Sequence, residues 1–304
     1  MTGVPRPSVL PPRHVILAIA VMAVWGSNFV VIKLALAHLP PLLLAALRFL
    51  CVFVPAALFI RRPAVSWANL VAYGVLLGVG QFGILFIAMR HDITPGLASL
   101  VIQVQVFFTI GLAMRLTGER IRAAQVGALL LAVVGIGIIL VHTDGSATPL
   151  GIGLVVLGAL NWGGANMVAK AAGPVDMLGY VIWSSPFAIV PLFALAFIVE
   201  GPTAIMHGIA SADVYTWGAV IWQAVGNTMF GYAAWGWLLA RYPAGTVAPM
   251  SLLVPVFGMG ASAWWLSESL PAWKLTAAAF VMAGLAIGIL WPRIAAWRIA
   301  RIAS

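Results

Sequence analysis

The sequence predicts an all-α polytopic membrane protein, with ten transmembrane helices arranged as two inverted five-helix repeats. Three observations carry that expectation: the composition, the spacing of the apolar runs, and the one-sided placement of the basic residues. Of 304 residues, 63% are hydrophobic and 8% charged, and the mean hydropathy is +1.09. A soluble domain carries roughly 25% charged and 45–50% apolar residues. This chain lacks the polar groups to cover a water-facing surface.

Crossing a hydrocarbon core about 30 Å thick takes ~20 apolar helical residues. Charges, Pro and Gly cut the chain into ten runs of that size. The first, 14–36, has no charge from Val15 to Ile32 and no small-residue cleavage site, so it reads as a helix that stays. His38-Leu39-Pro40 separates it from 41–60, and Arg61-Arg62-Pro63 ends the second run. Then come 68–89 and 95–115, a break at Gly118-Glu119-Arg120, and 122–142. The later runs are 150–170, 177–199, 214–239, 245–266 and 273–292, and only Glu200 to Asp213 leaves room for a longer loop. Pro186, Pro191, Pro249 and Pro255 remove backbone donors and are expected to kink the seventh and ninth helices. The runs are continuously apolar rather than alternating, which argues against a β-barrel.

Charge placement tests the count. With the N-terminus in the cytoplasm, that side receives Arg6, Arg13, Arg61, Arg62, Arg115, Arg120, Arg122, Lys170, Arg241, Arg293, Arg298 and Arg301. The opposite side receives only Arg90 and Lys274, and Lys33 and Arg48 fall within spans. Twelve against two is the positive-inside pattern and predicts both termini in the cytoplasm. The net charge of +9 then reflects orientation and anionic lipid, not a nucleic-acid partner. One cysteine, Cys51, excludes intrachain disulfides and cysteine metal clusters.

The chain also resembles itself. Trp25-Gly26-Ser27-Asn28 followed by Lys33 is echoed by Trp162-Gly163-Gly164-Ala165-Asn166 followed by Lys170. A shift of 149 residues pairs Gly96 with Gly245, Phe108 with Phe257, Glu119 with Glu268 and Gly135 with Gly284. The expected halves are 1–147 and 148–304. Because five helices is an odd number, the second half enters the membrane inverted, an architecture that places a solute site near the midplane between repeats. Trp25 through Lys33, Pro40-Pro41, Arg48-Phe49, Gly118-Glu119-Arg120 and Ser267-Glu268 together resemble the EamA family of the drug/metabolite transporter superfamily. The likeness covers essentially the whole chain and is strongest to bacterial amino-acid exporters of the O-acetylserine/cysteine and aromatic types. It implies ten helices, a bacterial inner-membrane location and export of small metabolites. The second half departs from the first in one respect: Trp183, Ser184 and Ser185 stand where a counterpart of Arg48 would be.

Within the spans, polar residues mark the expected site. Ser99, Gln103 and Phe107 recur every four residues in helix four, as do Gln223, Asn227, Gly231 and Trp235 in helix eight. Trp25 with Asn28, Trp162 with Asn166, and Gln81 complete the set. Amides beside large aromatics suit a zwitterion with an apolar side chain; each amide also has a second reading as an interhelical hydrogen bond. The expected substrates are uncharged amino acids, aromatic ones, Met and Thr among them. Lys33 stays open between binding a carboxylate and snorkelling, and Arg48 between capping a helix break and lining the cavity. All seven acidic residues lie at or near predicted helix ends. That placement argues against a proton relay and for facilitated or exchange transport. Gly78-Val79-Gly80-Gln81-Phe82-Gly83 matches a dinucleotide fingerprint but sits inside a span, so helix packing is its reading. No cofactor or metal is expected. Two alternatives remain: a drug or other small-metabolite exporter of the same superfamily, or a membrane-embedded enzyme, for which no convergent acid/base or nucleophile cluster appears.

Overall fold

A computed structural model describes residues 10–117, 123–142, 144–242 and 244–302. The Gly118-Glu119-Arg120 break therefore lies outside the described residues. The helices are α1 (Pro12–Ala35), α2 (Pro41–Ala56), α3 (Trp67–His91), α4 (Pro95–Arg115), α5 (Ala123–Leu140), α6 (Pro149–Ala171) and α7 (Met177–Glu200). They continue with α8 (Pro202–Ser211), α9 (214–241), α10 (Pro249–Leu266) and α11 (Ala272–Ile302). Among the described residues, the β-structure is a single bridge, Ile93 to Ala147.

Among the described residues each of the ten predicted runs is largely helical, and eight helices are long and apolar enough to cross a membrane. The other two are α2, 16 residues long, and α9, whose Gln223, Asn227 and Thr228 lower its hydropathy. Local chemistry sets the starts. Pro occupies the first turn of α1, α2, α4, α6 and α8, where its missing N–H costs no hydrogen bond and its φ is already helical. Ser66, Thr148, Asp176 and Asp213 cap α3, α6, α7 and α9 by accepting from backbone amides three residues on. Hydrogen bonds from the Thr216 amide and hydroxyl hold the Asp213 carboxyl below its ordinary range.

The expected long loop between Glu200 and Asp213 is instead the short helix α8. Gly201, at φ 82°, turns the chain, and Pro202 starts the helix. Gly208 then packs without a side chain against Pro40 at the start of α2. The seventh helix is interrupted at Ser185, just before Pro186, as a proline there requires. Gly74 and Gly78 lie against Ser184 and Ala188, so α3 and α7 approach closely where the fingerprint-like glycines occur. That is the packing role expected of them.

The most extensive pairings are α5 with α11, α1 with α10, α4 with α6, α2 with α7, α3 with α6, and the first half of α4 with α10. Helix α1 also packs along α9. The main core runs through α1, α2, α3, α4 and α6, while apolar side chains such as Leu130, Val190, Ile198 and Trp264 face outward. An apolar exterior is the surface a bilayer requires.

Candidate functional site

The junction of α1 and α9 brings together the largest group of predicted site residues. Trp25 Nε1 donates to the Asn227 carbonyl at 3.0 Å. Its ring packs at 5.6 Å from Trp235 and 5.7 Å from Tyr232. Gly231 makes this possible, because a methyl group on it would overlap the indole nitrogen. One turn beyond Trp25, Asn28 is buried and its Oδ1 has no partner.

The backbone at this junction is not ordinary α-helix. Residues Gln223–Phe230 form a π-helical stretch, in which Thr228 Oγ1 donates to the Gln223 carbonyl at 2.9 Å. Such stretches often mark functional positions. Gln223 is fully buried with neither side-chain polar atom bonded, and Asn227 is nearly buried. In α3 a second π-helical stretch, Val75–Gly83, carries Gln81, buried with its Oε1 unpartnered.

Arg48, on α2, lies between these two stretches and is 0% exposed. Its Nη2 donates to Thr228 Oγ1 at 3.1 Å, and its Cζ stands 3.6 Å from the centroid of Phe82. Nε and Nη1 have no partner. The Tyr232 hydroxyl is close enough to interact electrostatically with the guanidinium. Neighbouring residues of α9 thus hold both groups: the Asn227 carbonyl holds Trp25, and the Thr228 hydroxyl holds Arg48. Arg48 is not among the predicted site residues; the sequence leaves it open between capping a helix break and lining the cavity. Tyr232 and Thr228 carried no sequence signal of their own.

The remaining predicted residues are placed differently. Ser99 donates to the Gly96 carbonyl at 2.7 Å and lies against Gly258, where α4 crosses α10. Gln103 is nearly buried in a 3₁₀ turn, Ile102–Val104, which breaks the four-residue register of α4. Phe107 consequently lines a cleft of about 110 Å³ with Ile110, Met114, Leu129 and Gly288. Asn166 Nδ2 donates to Gln105 Oε1 and Thr109 Oγ1 at 2.9 and 3.1 Å, so it joins α6 to α4. Trp162 packs between the main core and the cluster around Tyr73 and Tyr180. Asn28 stands three residues after its Trp and Asn166 four; that offset turns the two amides by about 100° around their helices.

At the helix ends, charge is neutralised. Glu268 accepts from Thr94 Oγ1 at 2.6 Å, the Gly96 amide at 3.1 Å and Lys274 Nζ at 3.1 Å, and also from Ser262 Oγ. Ser267, left-handed at φ 53°, turns the chain to allow it. Glu200 accepts from the Leu42 and Leu43 amides at 2.6 and 3.1 Å. Lys33 donates to the Met89 and Arg90 carbonyls at 2.9 and 2.8 Å, closing the end of α3 rather than reaching a site. Among the described residues, no three His, Cys, Asp or Glu side chains gather closely enough to hold a metal ion.

Apolar helices outside, with indoles, amides and a guanidinium turned inward, define a multi-pass membrane protein with a polar interior. Comparison with known proteins gives the family. The chain belongs to the EamA-like transporter family, whose model matches residues 13–141 and again 149–290. It is 38% identical to the "Probable amino-acid metabolite efflux pump" of Escherichia coli strain K12, over 93% of this chain and 96% of that one. The Salmonella typhimurium protein of the same description is also 38% identical, over 91% and 95%. A "Probable terminal-alkyne amino-acid exporter" of Streptantibioticus cattleyicolor is 24% identical over 74% of each chain. One solved structure aligns with a TM-score of 0.61 at 20% identity, covering 93% of this chain and 99% of that one, and supports the fold. The protein is thus a membrane transporter of the EamA type.

Proposed function

We propose that this protein is a bacterial inner-membrane secondary transporter that exports uncharged amino acids, aromatic ones, Met and Thr among them, by alternating access. Two inverted halves, 1–147 and 148–304, supply ten crossing helices, with both termini in the cytoplasm. Three features favour the repeat. The family model matches twice. The helix pairings exchange between halves: α1 with α10 answers α6 with α4, and α3 with α6 answers α9 with α1. The π-helical stretches Val75–Gly83 and Gln223–Phe230 fall at equivalent places, close to the 149-residue shift.

The observation that carries the substrate reading is the α1–α9 junction. There Trp25, Tyr232 and Trp235 offer aromatic faces beside the unpartnered amide oxygen of Asn28 and the unpartnered amide of Gln223. Aromatic faces cover an apolar side chain, and amides hydrogen-bond the amino and carboxylate groups. Discrimination among apolar side chains by such a pocket is only about 1–3 kcal/mol per methylene, so the substrate range is broad. No Asp, Glu or His stands in midspan to relay protons, which favours facilitated or exchange transport.

The test is purified protein in liposomes, assayed for uptake of a panel of labelled amino acids with and without a pH gradient. Phe, Tyr, Trp, Met and Thr should be carried. Transport restricted to sugars or organic cations would refute the reading.

A further inference from the structure

Among the described residues two cations, Arg48 and Lys274, are fully buried, and of the two only Lys274 is paired with a protein anion. Lys274, 0% exposed, is paired with Glu268. Arg48, also 0% exposed, makes one hydrogen bond, to a neutral hydroxyl whose own proton is committed to the Gln223 carbonyl. The Phe82 ring covers its face. Nε and Nη1 remain without partners. A guanidinium does not discharge by losing a proton in a protein, so this charge is held inside the bundle uncompensated. Its planar fork of donors matches a carboxylate with two parallel hydrogen bonds.

The other end of an amino acid meets different chemistry. The unpartnered acceptors in the interior are neutral carbonyl oxygens, Oδ1 of Asn28 and Oε1 of Gln81 and Gln223. Among the described residues the acidic side chains stand at the helix ends, with Glu200 and Glu268 committed to backbone amides, hydroxyls and Lys274. Charge-assisted, two-point hydrogen bonds are roughly twice as strong as neutral ones. Recognition of the two ends is therefore unequal.

We infer that Arg48 is the carboxylate-binding residue of the transport site, and that the carboxylate is the indispensable part of the substrate while the amino group is optional. This rests on, and deepens, the exporter reading above. Acids with an apolar side chain and a hydroxyl in place of the amine belong to the substrate class. Amines and amides lacking the carboxylate do not.

The test uses the full-length protein in liposomes with labelled phenylalanine, competed by 3-phenyllactate, phenylalanine amide and phenethylamine. In the wild type, 3-phenyllactate should compete within about tenfold of unlabelled phenylalanine, whereas a hundredfold excess of either amine should not compete. Arg48→Gln should raise the KM for phenylalanine at least tenfold and erase the preference for the acid. Arg48→Met should melt at or above the wild-type temperature, because it removes an unpaired buried charge; a purely structural arginine would instead leave a protein that melts earlier. A separate readout covers failure of the exporter reading. In detergent, 3-phenyllactate should raise the melting temperature of the wild type and leave that of Arg48→Met unmoved. If phenylalanine is not carried but this Arg48-dependent shift is seen, the exporter reading fails and the arginine assignment stands. Amines competing as well as 3-phenyllactate, or Arg48→Gln with an unchanged KM, would overturn it. So would a 3-phenyllactate shift that is absent in the wild type or retained in Arg48→Met.

Discussion

Removing the Glu268 carboxylate should be among the most damaging single changes in this protein. The side chain receives Thr94 Oγ1 and the Gly96 amide, fixing the start of α4, and it neutralises Lys274 at 3.1 Å. Lys274 is 0% exposed and the Glu268 side chain 7%, so water cannot replace the lost partner easily. Breaking a buried ion pair by deleting one member costs about 3–5 kcal/mol, because the other charge is left behind. In large domains each kcal/mol corresponds to roughly 2 °C of melting temperature, so Glu268→Ala should melt about 6–10 °C lower by that conversion. Glu268→Gln keeps one acceptor oxygen, enough for Thr94 or for Gly96 but not both, and loses the charge, so it should fall nearly as far. Adding Lys274→Met to Glu268→Gln removes the stranded cation and should recover most of the loss. Melting followed by tryptophan fluorescence in detergent measures all three. A Glu268→Ala protein within about 2 °C of wild type, or a double variant no better than Glu268→Gln alone, would refute the reasoning.

Four further outcomes follow from the geometry. Asn28→Leu and Asn227→Leu should lose transport in liposomes while keeping the wild-type melting temperature, since the Asn227 carbonyl that holds Trp25 belongs to the backbone; stable, fully active variants at both positions would leave these amides as packing groups. Gly231→Ala should push the Trp25 indole off Asn227, costing about 1–3 kcal/mol of stability and most of the transport, read as melting and uptake together. Lys33→Met frees the Met89 and Arg90 carbonyls and should cost about 1–3 kcal/mol with an unchanged KM; a changed KM would put Lys33 back in the site. In a Cys51→Ser background, single cysteines at the exposed positions Asp144 and Ala210 should react with an impermeant reagent on whole cells, and reaction only after permeabilisation would reverse the proposed orientation.

Where signals are local, the fold was readable from the sequence. Apolar run length sets the helices, and Pro12, Pro41, Pro95 and Pro149 set their starts. The Glu200–Asp213 segment reads as room for a loop because charge, Pro and Gly interrupt the apolar pattern there, whereas Pro202 and the packing of Gly208 on Pro40 make it helical. The arrangement of the candidate site residues is only half readable from the sequence, for a geometric reason. Spacings of four assume 3.6 residues per turn. The π-helical stretch in α9 and the 3₁₀ turn in α4 change that number locally. Gln223 therefore aligns with Thr228 rather than Asn227, and Ser99 and Phe107 serve different crossings. Long-range partners such as Glu268 for Thr94 leave no mark in a spacing.

The deeper contrast is between the two buried cations. Both sit where an unpaired charge is costly, and the fold supplies Lys274 with a carboxylate six residues away. It supplies Arg48 with a hydroxyl and an aromatic face. Burying a charge without its partner lowers stability, and proteins commonly retain such losses where function needs the group. The π-helical stretches sharpen the point. On one side of Arg48, Val75–Gly83 presents Phe82; on the other, Gln223–Phe230 presents Thr228 and, one residue away, the carbonyl that holds Trp25. A rigid α-helix would rotate one of these away. The irregular backbone and the unmatched charge thus occur together at the contact between α2, α3 and α9. A solute carboxylate arriving there would complete the arginine's hydrogen bonding, and in doing so would favour whichever arrangement of the helices holds it best.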